Sequence, residues 1–216
     1  MKLIKLAAAA LITLSSLTAQ AAYLDITGGT TTNISSSGAN HNYFKANGAV
    51  TAPSFNVGGN LVSNFSGTVT LKFTYLGAEA SYENKFITSA GSFTNAPGKA
   101  YGTSVGSSFV LSDSFSLGEA IGFSFKKGTS GGLTVANGAN NEGDTTLSFA
   151  TLLAGSFNAS PFDAILFFDD TGGYQDDDNH DDLVVGVQVI SVPESSTLVL
   201  MMMGLLGLFA ARRMKA

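Results

Sequence analysis

"TVTLKFTYL", residues 68–76, decides how this 216-residue chain folds. Val69, Leu71, Phe73 and Tyr75 alternate with Thr70, Lys72 and Thr74, and successive side chains of an extended strand point to opposite faces. One face of the segment is therefore apolar and the other polar, the pattern of an antiparallel strand with one side against a core. The alternation returns in "SFVLSDSFSL" (108–117) through Phe109 and Leu111, and in "AIGFSFKKG" (120–128) through Ile121, Phe123 and Phe125. "TTLSFATLL" (145–153), "FDAILFF" (162–168) and "DLVVGVQVI" (182–190) read as further strands. No stretch between residues 22 and 191 sustains a 3.6-residue apolar stripe.

Working outward, Gly, Asn, Ser and Asp fill the intervals between these runs and supply turn conformations. Residues 27–42, "TGGTTTNISSSGANHN", read as a polar loop after a first short strand, and "NGANNEG" (137–143) as a long turn. Fifteen phenylalanines and no tryptophan lie between residues 22 and 191. Large rings spaced along short strands suit the space between two facing sheets. The expected fold is all-β: a single β-sandwich of jelly-roll type over residues 22–191.

That region holds six lysines, no arginine and fifteen acids, a net charge of −9. Such a surface is unsuited to nucleic acid, whose phosphates need basic neutralisation, and to anionic lipid headgroups. There is no cysteine, so burial, hydrogen bonds and bound ions must hold the fold without disulfides.

Both ends are apolar. "MKLIKLAAAALITLSSLTAQAA" has a positive start at Lys2 and Lys5, a short apolar core, and Ala19-Gln20-Ala21 in the small-x-small pattern of a cleavage site. Residues 1–21 are read as a signal peptide cut after Ala21 by signal peptidase. The other end, residues 192–216, is "VPESSTLVLMMMGLLGLFAARRMKA". Its uncharged run of residues 197–211 would extend about 22 Å as a helix against a hydrocarbon core of about 30 Å. Counting from residue 195 brings it to the lower limit of spanning length. Arg212, Arg213 and Lys215 follow and would hold that end on the cytoplasmic side.

Val192-Pro193-Glu194, an apolar helix over about 195–211 and the Arg212-Arg213 pair in a basic end at 212–216 resemble the PEP-CTERM sorting signal of exopolysaccharide-producing Gram-negative bacteria. Ser196-Thr197-Leu198 match the Ser-Thr-Leu that commonly follows; Ser195 departs from it, since a second proline is usual there. The resemblance implies export across the inner membrane and a transient anchor there. It also implies removal of the tail by an exosortase near the Pro-Glu element, then release to the cell surface or exopolysaccharide matrix. It covers about twenty-five residues and says nothing of the cargo's chemistry.

"FFDDTGGYQDDDNHDDLVV" places Asp169, Asp170, Asp176, Asp177, Asp178, Asp181 and Asp182 within fourteen residues. Charges so close repel one another unless a cation neutralises them, and hard oxygen donors in a turn suit Ca²⁺. The spacing is not that of an EF-hand, lacking the Gly at its sixth place and the Glu at its twelfth. It resembles the Asp-rich stretch found before the tail in many PEP-CTERM cargo proteins. That resemblance implies Asp169, Asp170, Asp176, Asp178 and Asp182 as Ca²⁺ ligands, with Asp181 as second choice. The competing reading is a solvated acidic turn that shields sheet edges. His180 stands in the cluster without a second histidine nearby, a weak case for a transition metal.

No catalytic residues are assigned. There is no cysteine nucleophile, no Gly-x-Ser-x-Gly and no phosphate-cradling glycine motif. The reading is an exported, non-enzymatic structural or adhesive protein of the cell surface or biofilm matrix, stabilised by Ca²⁺. The alternative is a secreted carbohydrate-binding or carbohydrate-cleaving module. Tyr43, Tyr82, Tyr101 and Tyr174 would then serve as sugar platforms and Glu79, Glu83, Glu119 and Glu142 as the available glutamates.

Overall fold

The structure, a computed structural model, describes residues 23–37, 41–98, 105–128, 132–139, 141, 147–171, 179–191 and 203–205. The expected signal peptide with Ala21, and the tail's Val192, Pro193, Glu194, Arg212 and Arg213, lie outside the described residues, as do Asp176 and Asp178. Among the described residues no helix is long and apolar enough to cross a membrane.

In chain order the elements are β1 (Leu24–Thr27), β2 (Thr30–Asn33), α1 (Tyr43–Ala46), β3 (Ser54–Val57), β4 (Asn60–Ser63) and β5 (Gly67–Gly77). Then come β6 (Asn84–Thr88), β7 (Ser92–Thr94), β8 (Ser108–Phe115), β9 (Phe123–Lys127) and β10 (Thr134–Ala136). The last are β11 (Ser148–Leu153), β12 (Ser156–Phe157), β13 (Ser160–Pro161), β14 (Ala164–Asp169) and β15 (Leu183–Ser191). The described chain is mostly β, and its paired strands run antiparallel. All six segments read as strands from the sequence contain one.

A seven-stranded sheet runs β2-β3-β11-β14-β15-β5-β8 and a four-stranded sheet runs β10-β9-β6-β7; β1-β4 and β12-β13 form separate pairs. The chain leaves the larger sheet after β5 for β6 and β7, returns in β8, leaves again for β9 and β10, and returns in β11. These crossings give one apolar cluster residues from both sheets. Val69, Leu71, Phe73 and Tyr75 of β5, with Leu166 and Phe168 of β14, join Phe86 of β6 and Phe123 and Phe125 of β9. Register keeps like with like: Leu71 pairs Leu111 and Phe73 pairs Phe109 across β5–β8.

The larger sheet has a second core on its other face. Val57, Ala150, Ile165, Phe167 and Val184 pack there with Phe44 of α1, Phe157 and Phe162. β14 is consequently buried along its whole length, which explains why "AILFF" shows no alternation. The same cover buries Leu76 at the end of β5, and Thr74 is buried there too. All fifteen phenylalanines between residues 22 and 191 belong to or pack against one of the two clusters.

One expectation changes. Residues 30–33, read as part of a polar loop, form β2, which pairs with β3 from Thr30↔Val57 to Asn33↔Ser54. β-Branched threonines favour the extended backbone, and at the sheet edge all three, with Asn33, stay exposed. The loop's far end becomes an N-cap: Asn42 Oδ1 accepts the Lys45 amide at 2.9 Å and starts α1.

Candidate functional site: the acidic corner after β14

Strands β14 and β15 pair in register Phe168↔Leu183, so Asp169 and Asp170 on one side of the hairpin meet Asp181 and Asp182 on the other. Alternation then separates the two adjacent acids. Phe167 belongs to the second core and Phe168 to the first; Asp169 continues the face of the former and Asp170 that of the latter.

On the second-core side, Asp169 Oδ2 lies 3.7 Å from His180 Nδ1, and His180 Nε2 is 2.9 Å from Ser148 Oγ. Ser148 is the cross-strand partner of Asp169, which puts both side chains on one face. The imidazole also packs on Phe55, ring centroids 5.4 Å apart. His180 takes the left-handed backbone conformation at φ 54°. Serine, histidine and aspartate thus stand in the order of a hydrolytic triad. Ser148 has no exposed surface, and Asp169 and His180 are buried with it. The trio connects β11, β14 and the turn before β15.

Asp181 is fully buried and turns toward α1, where its Oδ2 accepts the Tyr43 amide. Asn42 Nδ2 donates to the carbonyl of Asn179 at 2.9 Å. Together they anchor the acidic turn to the N-terminus of the helix.

On the first-core side, Asp182 Oδ2 accepts the Asp170 amide at 2.7 Å. Asp170, itself buried, accepts from Asn84 Nδ2 and faces Lys127 Nζ at 3.5 Å. The same ammonium sits 3.9 Å over the Tyr82 ring. Burial is the largest influence on both acids. It raises the Asp170 carboxyl above its usual range, against the opposing pull of Asn84 and Lys127. Asp182 is pushed up to about 9, first by burial and then by the Asp170 charge.

Of the five acids expected as ligands, the structure therefore brings Asp170 and Asp182 together and sends Asp169 to the opposite face. Among the described residues no three His, Asp or Glu side chains converge as a metal-ligand set. The residue missed from the sequence is Asn84 on β6. It is fully buried, and its Oδ1 has no hydrogen-bond partner while its Nδ2 holds Asp170. That buried carbonyl oxygen, on a residue that touches Asp170, is a hard neutral donor of the kind Ca²⁺ accepts beside carboxylates.

Of the tyrosines considered as sugar platforms, Tyr101 and Tyr174 lie outside the described residues. Tyr43 packs edge-on against Phe44 beside the second core, with ring centroids 5.5 Å apart. Tyr82 is exposed, but one ring face is taken by Lys127.

What fold and corner define is an antiparallel β-rich protein with a buried, acid-lined hairpin joining its two main sheets. The chain matches no protein-family model, no curated protein and no solved structure.

Proposed function

We propose that this chain is an exported, non-enzymatic protein of the Gram-negative cell surface or exopolysaccharide matrix, with a structural or adhesive role. Its body is a jelly-roll β-sandwich carried out under a PEP-CTERM-type address. The observation that carries the reading is the tripartite end: Val192-Pro193-Glu194, an uncharged run at the lower limit of spanning length, and Arg212-Arg213. Signal peptidase and an exosortase are the processing partners, and exopolysaccharide is the surrounding material. The inner membrane is occupied only in transit.

Ca²⁺ supplies charge neutralisation at the acidic corner when bound, and Asp170 and Asp182 present oxygens for it. The burial of Ser148 supports a non-catalytic role. The second reading, a carbohydrate-binding or carbohydrate-cleaving module, draws less support, because Tyr43 packs on Phe44 and Lys127 takes one face of the exposed Tyr82.

The test is mass spectrometry of the protein released by an exosortase-bearing host. A body ending near Pro193 is the expected product, and Arg212→Gln with Arg213→Gln should leave the chain unprocessed and cell-associated. Released protein that still ends in Met214-Lys215-Ala216 would refute the sorting assignment.

A further inference from the structure

Asn84 is held more firmly than any role as a spacer requires. Its backbone amide is taken by Asn95 Oδ1, its carbonyl accepts the Asn95 amide at 3.1 Å, and its side-chain Nδ2 donates to Asp170. These contacts fix which way the amide faces, and so fix the orphan Oδ1. A buried carbonyl oxygen without a partner is destabilising, and folded proteins leave few of them. Here the orphan belongs to the residue that touches Asp170, whose amide Asp182 accepts, and it comes from the other sheet. Lys127 supplies one positive charge to Asp170, part of it shared with the Tyr82 ring. That ammonium pairs with Asp170, whereas Asp182 is held by the Asp170 amide.

We propose that the Asn84 side-chain carbonyl is a ligand of the divalent cation bound at this corner, and that the ion ties the four-stranded sheet to the seven-stranded one through Asn84, Asp170 and Asp182. The inference rests on the reading that the acidic corner takes Ca²⁺. Oxygen-only donors of mixed charge from separate elements favour Ca²⁺, which accepts irregular geometry, over Mg²⁺, which demands a near-ideal octahedron. Lys127 is then the internal counter-ion of the cation-free protein. Its position over Tyr82 gives the ammonium a place to remain when Ca²⁺ takes the carboxylates.

The experiment uses the full chain in detergent micelles, with CaCl₂ as the probe. Affinity is read by titration calorimetry, and Tm in Ca²⁺ and in EDTA. Wild type should bind Ca²⁺ and melt higher with it. Asn84→Leu keeps the size and removes the oxygen, and should weaken binding at least tenfold. Asn84→Asp restores an oxygen and adds charge; it should melt lower than wild type in EDTA yet bind Ca²⁺ at least as tightly.

Wild-type affinity retained within twofold in Asn84→Leu would overturn the assignment of Asn84 while leaving Ca²⁺ binding intact. No binding by wild type would remove the Ca²⁺ reading and this inference with it. Should the leucine variant not fold, Asn84→Asp decides alone. Tm lowered equally in both buffers, with weaker Ca²⁺ binding, marks a purely structural residue and refutes the proposal.

Discussion

Replacing Phe125 with alanine tests whether the two main sheets share one core. Phe125 stands on β9 of the four-stranded sheet and is fully buried. Its ring lies 4.9 Å from that of Phe168 on the seven-stranded sheet, interplanar angle 3°, and 5.7 Å from that of Phe149 on β11. Phe86 meets it edge-on at 5.1 Å within its own sheet. Truncation removes the ring from both sheets at once and leaves a cavity that packed neighbours fill only in part. A change of this kind costs about 3–5 kcal/mol, or a fall in Tm of about 6–20 °C at about 2–4 °C per kcal/mol for a domain of this size. Phe125→Leu, which keeps most of the volume and loses the ring pairs, should cost about 1–2 kcal/mol. Phe65→Ala, at a partly buried position on the margin of the same cluster, should cost about 1 kcal/mol. Urea unfolding followed by circular dichroism measures all three. A Phe125→Ala protein within about 1 kcal/mol of wild type, or no worse than Phe65→Ala, would show that the sheets do not depend on this contact.

Three further outcomes follow from the same geometry. In EDTA the folded protein keeps a proton on Asp182 up to about pH 9, whereas the unfolded chain releases it near pH 4. Stability should therefore fall as pH rises between those values, by up to about 1.4 kcal/mol per unit, with the raised Asp170 acting in the same direction. Urea melts at about pH 5 and pH 8 should show this, Asp182→Asn should flatten it, and stability that rises with pH in wild type would contradict the burial argument. A Cβ added at Gly186 would lie 2.4 Å from Phe162 Cε1, so Gly186→Ala should cost about 1–3 kcal/mol. The cost should shrink in a Phe162→Ala background, and equal costs in the two backgrounds would break the link. A fluorophosphonate should leave Ser148 unlabelled because the hydroxyl is buried; labelling abolished by Ser148→Ala would make the protein a hydrolase.

The strands were legible wherever one face met water. Residues 68–76 announce β5 because their polar and apolar positions separate cleanly, and β8 and β9 follow the same rule at their apolar positions. β14 is readable for the opposite reason: five apolar residues in a row require cover on both faces. What supplies that cover is not readable locally. Phe44, Phe157 and Phe162 come from one helical turn and a short hairpin region with little periodicity of their own. β6 was missed because its five residues alternate weakly and begin with an asparagine. Nothing near Asn84 reveals that it will be buried against Asp170, 86 positions away.

The acidic run divides between the two faces of the hairpin. Seven aspartates in fourteen residues look like one cluster when read along the chain, but a strand sends neighbouring side chains to opposite faces. Asp169 therefore goes to His180 and Ser148, and Asp170 to Asn84 and Lys127. Asp182 rejoins Asp170 only because the β14–β15 register returns the chain beside it: the Asp182 amide reaches the Phe168 carbonyl at 3.0 Å. Local density of charge gives the electrostatic strain that a cation would relieve; hairpin register decides which two carboxylates can share one. In the proposed cation site the third donor comes from the other sheet, as the buried side-chain oxygen of Asn84, the residue that holds Asp170.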